Sequence, residues 1–160
     1  MCEKLDYDRK QDCVLFLRDL REEHDKLVQL IQVQQNAEMD QMIREIYPVL
    51  EQQYLNKEAD HLIWPPRDFE DFIKEGDSLM HCVCANEYYQ IHVAGKRLIF
   101  FVRETNTPDK SLCTLEYDVQ RQKILQLRGR RNQAAPPEVK EFVERWLKVK
   151  CLEPQREQVA

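Results

Sequence analysis

The stretch RLIFFVRETNTPDKSLCTLEYDVQRQKILQLR, residues 97–128, decides the fold. Its apolar run at residues 98–102 is rich in aromatic and β-branched side chains, which is typical of a strand covered on both faces. Residues 112–119 and 123–128 alternate between apolar and polar side chains, as half-buried strands do. Because the connections between these segments are short, the sequence predicts a three-stranded antiparallel meander.

Helices that pack against this sheet are expected before and after it in the sequence. A short helix is predicted around Phe69 and Phe72, ending near Gly76, and residues 79–93 favour further helix. Another helix is predicted after Pro137, since proline suits the first turn of a helix. One core is therefore expected, made of Leu98, Phe100, Leu115, Leu125, Phe142 and Trp146.

The N-terminal region has the pattern of paired helices. Apolar residues between positions 13 and 31 recur at spacings of 4, 3, 4, 3 and 4, which favours a seam that faces a partner helix. Residues 34–36 predict a break, and a second helix containing Pro48 follows. Residues 1–66 are therefore predicted to form an acidic helical hairpin. Its seam consists of Cys13, Leu17, Leu20, His24, Leu27 and Ile31.

The predicted fold class is α+β. A helical hairpin precedes a small three-stranded antiparallel sheet that packs against helices, and an amphipathic helix follows. Trp64-Pro65-Pro66 marks the first boundary, because a residue before proline disfavours helix. The predicted domains are the acidic hairpin at 1–66, an α+β core at 67–152 and a polar tail at 153–160.

Charge is unevenly distributed along the 160 residues, whose net charge is -5. Residues 1–80 contain 19 acidic against 10 Lys and Arg residues, whereas residues 81–160 contain 10 against 14. The N-terminal half should therefore repel a nucleic-acid backbone, and the C-terminal half could tolerate one. The candidate basic patch for nucleic acid consists of Arg121, Lys123, Arg128, Arg130 and Arg131.

Several functional classes are disfavoured by composition. Only 3 glycines are present, and no glycine-rich phosphate-binding loop can be written. No apolar run approaches the roughly 20 residues of a membrane span, so a cytoplasmic protein of a bacterial host with no membrane partner is expected. Cys82 and Cys84 lack a second pair of ligands at zinc-site spacing. We therefore expect no metal, no cofactor and reduced cysteines.

Polar side chains concentrate in and beside the predicted sheet. A charge in the middle of a strand needs a partner, so Glu116 is expected to pair with Arg103 or Arg128. If the protein is an enzyme, His81, Tyr88 and Glu116 are its candidate catalytic residues. Otherwise the polar residues form a structural network, with His81, Arg103, Glu116 and Gln126 in one hydrogen-bonded cluster. The full predicted cluster is His81, Arg103, Glu116, Gln126, Arg128 and Asn132.

Short motifs follow one another in a fixed order along residues 68–150. They are Leu79-Met80-His81-Cys82-Val83, Tyr88, Gly95, Ile99-Phe100, Arg103, Thr114-Leu115-Glu116, Gln126-Leu127-Arg128-Gly129, Asn132 and the helix from Phe142 to Trp146. In this order they resemble the PcfJ-like family, which is named after a conjugative-plasmid protein and occurs on plasmids, phages and other mobile elements. The resemblance implies a mobile-element context and no particular catalytic mechanism.

Three classes of function remain open. The resemblance implies first a phage or plasmid protein that acts by non-catalytic binding, as an inhibitor of a host CRISPR nuclease, because short relatives include such inhibitors. The second is a nucleic-acid-binding accessory of conjugation or replication that uses the basic patch. The third is an enzyme of ADP-ribosyltransferase-like type. A homodimer through the helical hairpin is a further expectation.

Overall fold

A computed structural model describes residues 13–84 and 86–152, and contacts divide the chain into two compact units, Met1–Ala37 and Glu38–Ala160. The predicted polar tail at 153–160 lies outside the described residues. The fold class is α+β, as predicted. The helices are α1 (Cys13–Tyr54), α2 (Phe69–Leu79), α3 (Asn86–Val93) and α4 (Pro137–Trp146), and the strands are β1 (Asn56–Lys57), β2 (His61–Trp64), β3 (Arg97–Glu104), β4 (Cys113–Asp118) and β5 (Lys123–Arg128).

The sheet has five strands rather than the predicted three. All are antiparallel and lie in chain order, with the predicted meander as β3, β4 and β5. Strand β2 lies beside β3, where Ile63 is opposite Val102. The two added strands were not predicted from the sequence because they are short. Strand β1 has only 2 residues. Strand β2 has 4 residues and ends at Trp64, before two prolines that cannot donate an N–H to a neighbouring strand.

The two faces of the sheet are covered by different helices. Alternate residues of β3 point to opposite faces, so Phe100 and Phe101 enter separate cores. Phe100 packs against Trp146 of α4, with ring centroids 5.1 Å apart. Phe101 packs against Phe72 of α2, at 6.0 Å. The central sheet is thus buried on both sides, which explains the nearly continuous apolar run of β3.

A bulge in β5 removes Leu125 from the predicted core. The pairing with β4 shifts between Glu116 and Tyr117, so that Gln126 lies opposite Glu116 while Ile124 lies opposite Tyr117. Leu125 therefore has no residue across from it, as the extra residue of a bulge does. It is half-buried outside both cores, whereas the other five predicted core residues lie in one buried cluster.

The predicted helical hairpin is wrong, because residues 13–54 form one helix. Residues 34–36 do not break it, because glutamine has a good helix propensity and a single asparagine can be accommodated inside a long helix. Pro48 lies inside the helix, where it removes one backbone donor. Among the seam residues, Leu20, Leu27 and Ile31 are exposed. No helix in the described ranges is long and apolar enough to cross a membrane.

The end of α2 positions the first residue of the site. The helix begins after Asp68, whose side chain accepts a hydrogen bond from the Asp71 N–H. It continues past Gly76, where an end was predicted, and stops at Met80, whose φ of 54° is left-handed. This reversal directs the following residue, His81, back toward the sheet, where its ring contacts Thr114 of β4.

Candidate functional site

The floor of a cavity is formed by the sheet face that α2 and α3 only partly cover. Ile99 of β3 lies opposite Glu116 of β4, and Thr114 lies two residues further along the same face. All three side chains are buried. The cavity above them has a volume of about 420 Å³, which is within the usual range of ligand pockets. Its lining residues are His81, Cys82, Val83, Tyr88, Ile99, Thr114, Glu116, Gln126, Arg128 and Asn132.

Five of the six residues of the predicted polar cluster line this cavity, although they come from separate segments. His81 follows α2, Gln126 and Arg128 lie on β5, and Asn132 lies in the 3₁₀ turn Arg130–Asn132. The three conditional catalytic residues, His81, Tyr88 and Glu116, also line it. Arg103 does not, so the predicted single cluster is divided.

Arg103 pairs with Glu75 of α2 rather than with Glu116. Its Nη1 donates to Glu75 Oε1 at 3.1 Å, and its Nη2 donates to Oε2 in a second short contact. Ser111 and Thr114 also donate hydroxyl hydrogen bonds to this carboxylate, at 2.7 and 2.8 Å. Glu75 and Arg103 are both buried, so each charge depends on the other for compensation.

The register of the sheet explains why the predicted Arg103–Glu116 pair does not form. Glu116 lies opposite Ile99, four residues before Arg103 and therefore about 13 Å away along the strand. Arg97 is only two residues from Ile99 on the same face, and its Nη1 donates to Glu116 Oε1 at 3.2 Å. The ion pairs are thus set by strand register.

Sequence reasoning missed Glu75, although a signal was present. On α2 it lies three residues after Phe72 and four before Leu79, and both of those side chains are buried. Residues at these spacings share one helix face. A carboxylate on an apolar helix face needs a buried cation, and Arg103 at the end of an apolar strand is a natural candidate.

His81 links the cavity wall to the Glu75 network. Its Nε2 lies 3.0 Å from Thr114 Oγ1, which in turn donates to Glu75. The backbone N–H of Val83 approaches Nδ1 at 3.4 Å, so the network assigns the hydrogen to Nε2. Burial lowers the pKa of His81, although the negative charge of Glu75 acts in the opposite direction. The imidazole is therefore neutral at neutral pH and held by a chain of hydrogen bonds.

Tyr88 forms the aromatic wall of the cavity. Burial raises the pKa of Tyr88, and the neighbouring Cys82 and the charge of Glu116 act in the same direction. The phenol therefore remains protonated at neutral pH and can donate a hydrogen bond. Tyr88 is half-buried, and it is the residue of α3 that lines the cavity.

The rim of the cavity combines unpaired polar groups with strained backbone. Gln126, Arg128 and Asn132 are exposed, and their side chains make no hydrogen bond or ion pair within the described residues. Asn132 has a φ of 59° and the adjacent Arg131 a φ of 54°, both left-handed. Strained backbone of this kind is common at functional sites. The polar side chains of the rim are thus available to bind a ligand.

Comparison with known proteins identifies the family. A family model described as PcfJ-like protein matches residues 1–143, which is most of the chain. The chain belongs to the PcfJ-like family. The match begins earlier and ends earlier than the predicted resemblance at 68–150, and it contains every lining residue of the cavity.

One relative of this PcfJ-like chain is an uncharacterized protein of Listeria innocua serovar 6a. The two are 40% identical over 81 residues, which is 51% of this chain and 17% of the relative. The chain thus matches about a sixth of the length of that protein. No solved structure shows significant similarity to the chain. Together the family and the relative favour an association with mobile genetic elements.

The basic patch predicted for the PcfJ-like chain is distributed over two ends of β5. Lys123 and Arg128 are the ends of the strand, about 16 Å apart at the usual rise per residue. Arg121 lies beyond the first end, near Asp118, with 4.0 Å between Nε and Oδ2. Arg130 and Arg131 follow the other end, beside the cavity. Of these cations, Arg128 lines the cavity, whereas Arg130 Nη2 lies 3.7 Å from Met80 Sδ.

The cysteines with described side chains, Cys82, Cys113 and Cys151, are free thiols. Burial raises the pKa of Cys113 and of Cys151 to about 11, so neither is an activated nucleophile at neutral pH. Among the described residues there is no group of three or more His, Cys, Asp or Glu side chains arranged to hold a metal ion.

Proposed function

We propose that this PcfJ-like protein is an accessory protein of a phage or plasmid, which acts by binding a host protein without catalysing a reaction. The proposed partner is a CRISPR effector nuclease in the cytoplasm of a bacterial host. Family membership supports the mobile-element context. The choice of binding over catalysis rests on the exposed surface of α1.

The observation that carries the proposal is the seam of α1. Leu27 and Ile31 are 58% and 54% exposed, and Leu20 precedes them at the heptad spacing. A solvent-exposed helix gains most of its stability when such an apolar stripe is buried against a partner. Acidic side chains, among them Glu23 and Asp25, lie between the seam positions. Arg21 and Lys26 lie there as well, with Lys26 Nζ 3.1 Å from Glu23, so residues 20–31 carry a net charge of -1. The surface is therefore suited to a partner that offers chiefly apolar contacts.

A nuclease that holds nucleic acid also offers positive charge. Such enzymes keep the negatively charged backbone in a positively charged channel. The first 80 residues of this chain carry 9 more acidic than basic residues, the opposite sign. Complementary charge speeds association and selects the partner, while the apolar seam supplies buried area. The acidic region would thus compete with nucleic acid for the channel.

The test is DNA cleavage by a purified RNA-guided nuclease of the host, with and without the full chain. The informative variant is Leu27→Gln, and Val149→Gln is a matched control because Val149 is 51% exposed outside α1. We expect the wild type and Val149→Gln to inhibit cleavage, and Leu27→Gln to inhibit at least about tenfold less. Unchanged thermal stability of both variants would exclude unfolding as the cause.

Two results would contradict the proposal. One is cleavage that proceeds unchanged at a large excess of the wild-type chain over the nuclease. The other is a chain that sediments at twice its 19.3 kDa mass, becomes monomeric on Leu27→Gln and leaves cleavage unaffected. In that case the seam would be covered by a second copy, as in the homodimer expected from the sequence.

An enzymatic alternative rests on the cavity. His81, Tyr88 and Glu116 come from three separate segments of the chain and line the same cavity, which favours the ADP-ribosyltransferase-like hypothesis over the nucleic-acid-binding one. The latter is weakened because the basic residues are divided between the two ends of β5. Incubation of host lysate with labelled NAD and the purified chain tests the enzyme. Protein labelling that disappears with Glu116→Gln would support it.

A further inference from the structure

We propose that the cavity above β4 and β5 binds a small phosphate monoester that also carries hydroxyl groups, as a nucleoside monophosphate does. This site is independent of the seam on α1. Its rim is cationic, its floor holds a carboxylate, and its wall is aromatic, so that the two ends of the ligand are recognised by groups of different chemistry.

The rim is suited to the phosphate. Arg128 lines the cavity, and its guanidinium has no hydrogen-bond or ion-pair partner among the described residues. Arg130 is directed elsewhere, with its Nη2 3.7 Å from Met80 Sδ, so Arg128 is the guanidinium that lines this cavity. A guanidinium presents a planar pair of N–H donors that binds a phosphate through two parallel hydrogen bonds. Asn132 adds an amide that can donate to a phosphate oxygen.

The floor is suited to hydroxyl groups. Glu116 is buried, and Arg97 occupies its Oε1 at 3.2 Å. The hydrogen bonds of the described residues leave Oε2 unengaged. A carboxylate oxygen that is open to the cavity accepts hydrogen bonds and repels anions, so it selects the hydroxyl-bearing end of the ligand. This arrangement also sets the polarity of binding, with the phosphate at the rim.

The walls suit a planar ring. Tyr88 offers an aromatic surface and Ile99 an apolar contact, and Gln126 offers both a donor and an acceptor to the edge of a base. His81 is held by Thr114 and Glu75, so the wall is already ordered before a ligand enters. The volume of about 420 Å³ is sufficient for a molecule of this size.

Isothermal titration calorimetry of the full chain with AMP tests this site. Adenosine and inorganic phosphate serve as probes for the two ends, and a short 5′-phosphorylated oligonucleotide distinguishes a free nucleotide from the end of a nucleic acid. We expect AMP to bind more tightly than either probe alone. Arg128→Gln should weaken AMP binding by at least about tenfold, because a charged hydrogen bond to phosphate is lost.

Lys123→Gln is the matched control, since Lys123 is another exposed cation of β5 but does not line the cavity. It should bind AMP like the wild type. Gln126→Ala is a second cavity variant that removes no charge, and it should weaken AMP but not phosphate. The proposal is overturned if AMP does not bind at millimolar concentration, or if Arg128→Gln and Lys123→Gln weaken binding equally.

Discussion

The buried imidazole of His92 provides a quantitative prediction for the pH dependence of folding. His92 lies in α3 and is fully buried, and its Nδ1 accepts a hydrogen bond from the Ile99 N–H at 3.0 Å. Within the described residues its Nε2 has no partner. Burial lowers the pKa of His92 to about 3, against 6.5 for an exposed histidine. The folded protein therefore holds this side chain neutral.

The sign and size of the effect follow from proton linkage. Below pH 6.5 the unfolded chain binds a proton at His92 that the folded chain rejects, so acid favours unfolding. The contribution to stability is present above pH 6.5 and is lost as the pH falls toward 3. Each pH unit by which the pH falls in that window lowers the free energy of unfolding by about 1.4 kcal/mol. The fall from pH 7 to pH 5 lowers it by about 2 kcal/mol.

The assay is urea unfolding of the wild type and of His92→Asn at pH 7, 6 and 5. Asparagine keeps an acceptor for the Ile99 N–H but cannot titrate, so the difference between the two proteins isolates His92. Other histidines, His81 included, are present in both. We expect the wild type to lose about 2 kcal/mol more than the variant between pH 7 and pH 5. Equal losses would refute the assignment of a buried, neutral His92.

Three further variants test the packing. Trp146→Ala should lower the free energy of unfolding in urea by about 3–5 kcal/mol, because the indole is buried and its N–H donates to the Tyr54 carbonyl at 2.7 Å. An unchanged unfolding midpoint would contradict that burial. Glu75→Gln should cost about 3 kcal/mol in the same assay, because Arg103 loses its buried counter-charge, and a neutral effect would argue against the pair. Pro48→Ala should raise the melting temperature, since it restores a backbone donor inside α1, and a fall would contradict the helix there.

Much of the cavity was predictable because strand periodicity is a local property. The alternation in β4 and β5 places Thr114 and Glu116 on one face, and it assigns Gln126 and Arg128 to the neighbouring strand. Pairing partners were less predictable, since they depend on register and on which helix covers the face. Arg103 therefore has a different partner from the one expected, supplied by α2.

The N-terminal error has a different origin. A heptad seam indicates that an apolar stripe requires a partner, but it does not tell whether that partner belongs to the same chain. The hairpin hypothesis assumed an internal partner and placed a break at residues 34–36. The structure has a single helix instead, and Leu20, Leu27 and Ile31 remain exposed. The intermolecular contact that we propose uses the same seam.

Hydrogen–deuterium exchange of the full chain, with and without the purified host nuclease, tests most directly whether recognition of the partner occurs on α1. We expect protection of residues 20–31 in the complex, because the seam would be buried there, while residues 126–132 at the cavity rim exchange as in the isolated protein. Protection confined to residues 126–132, with α1 unchanged, would contradict recognition through the seam.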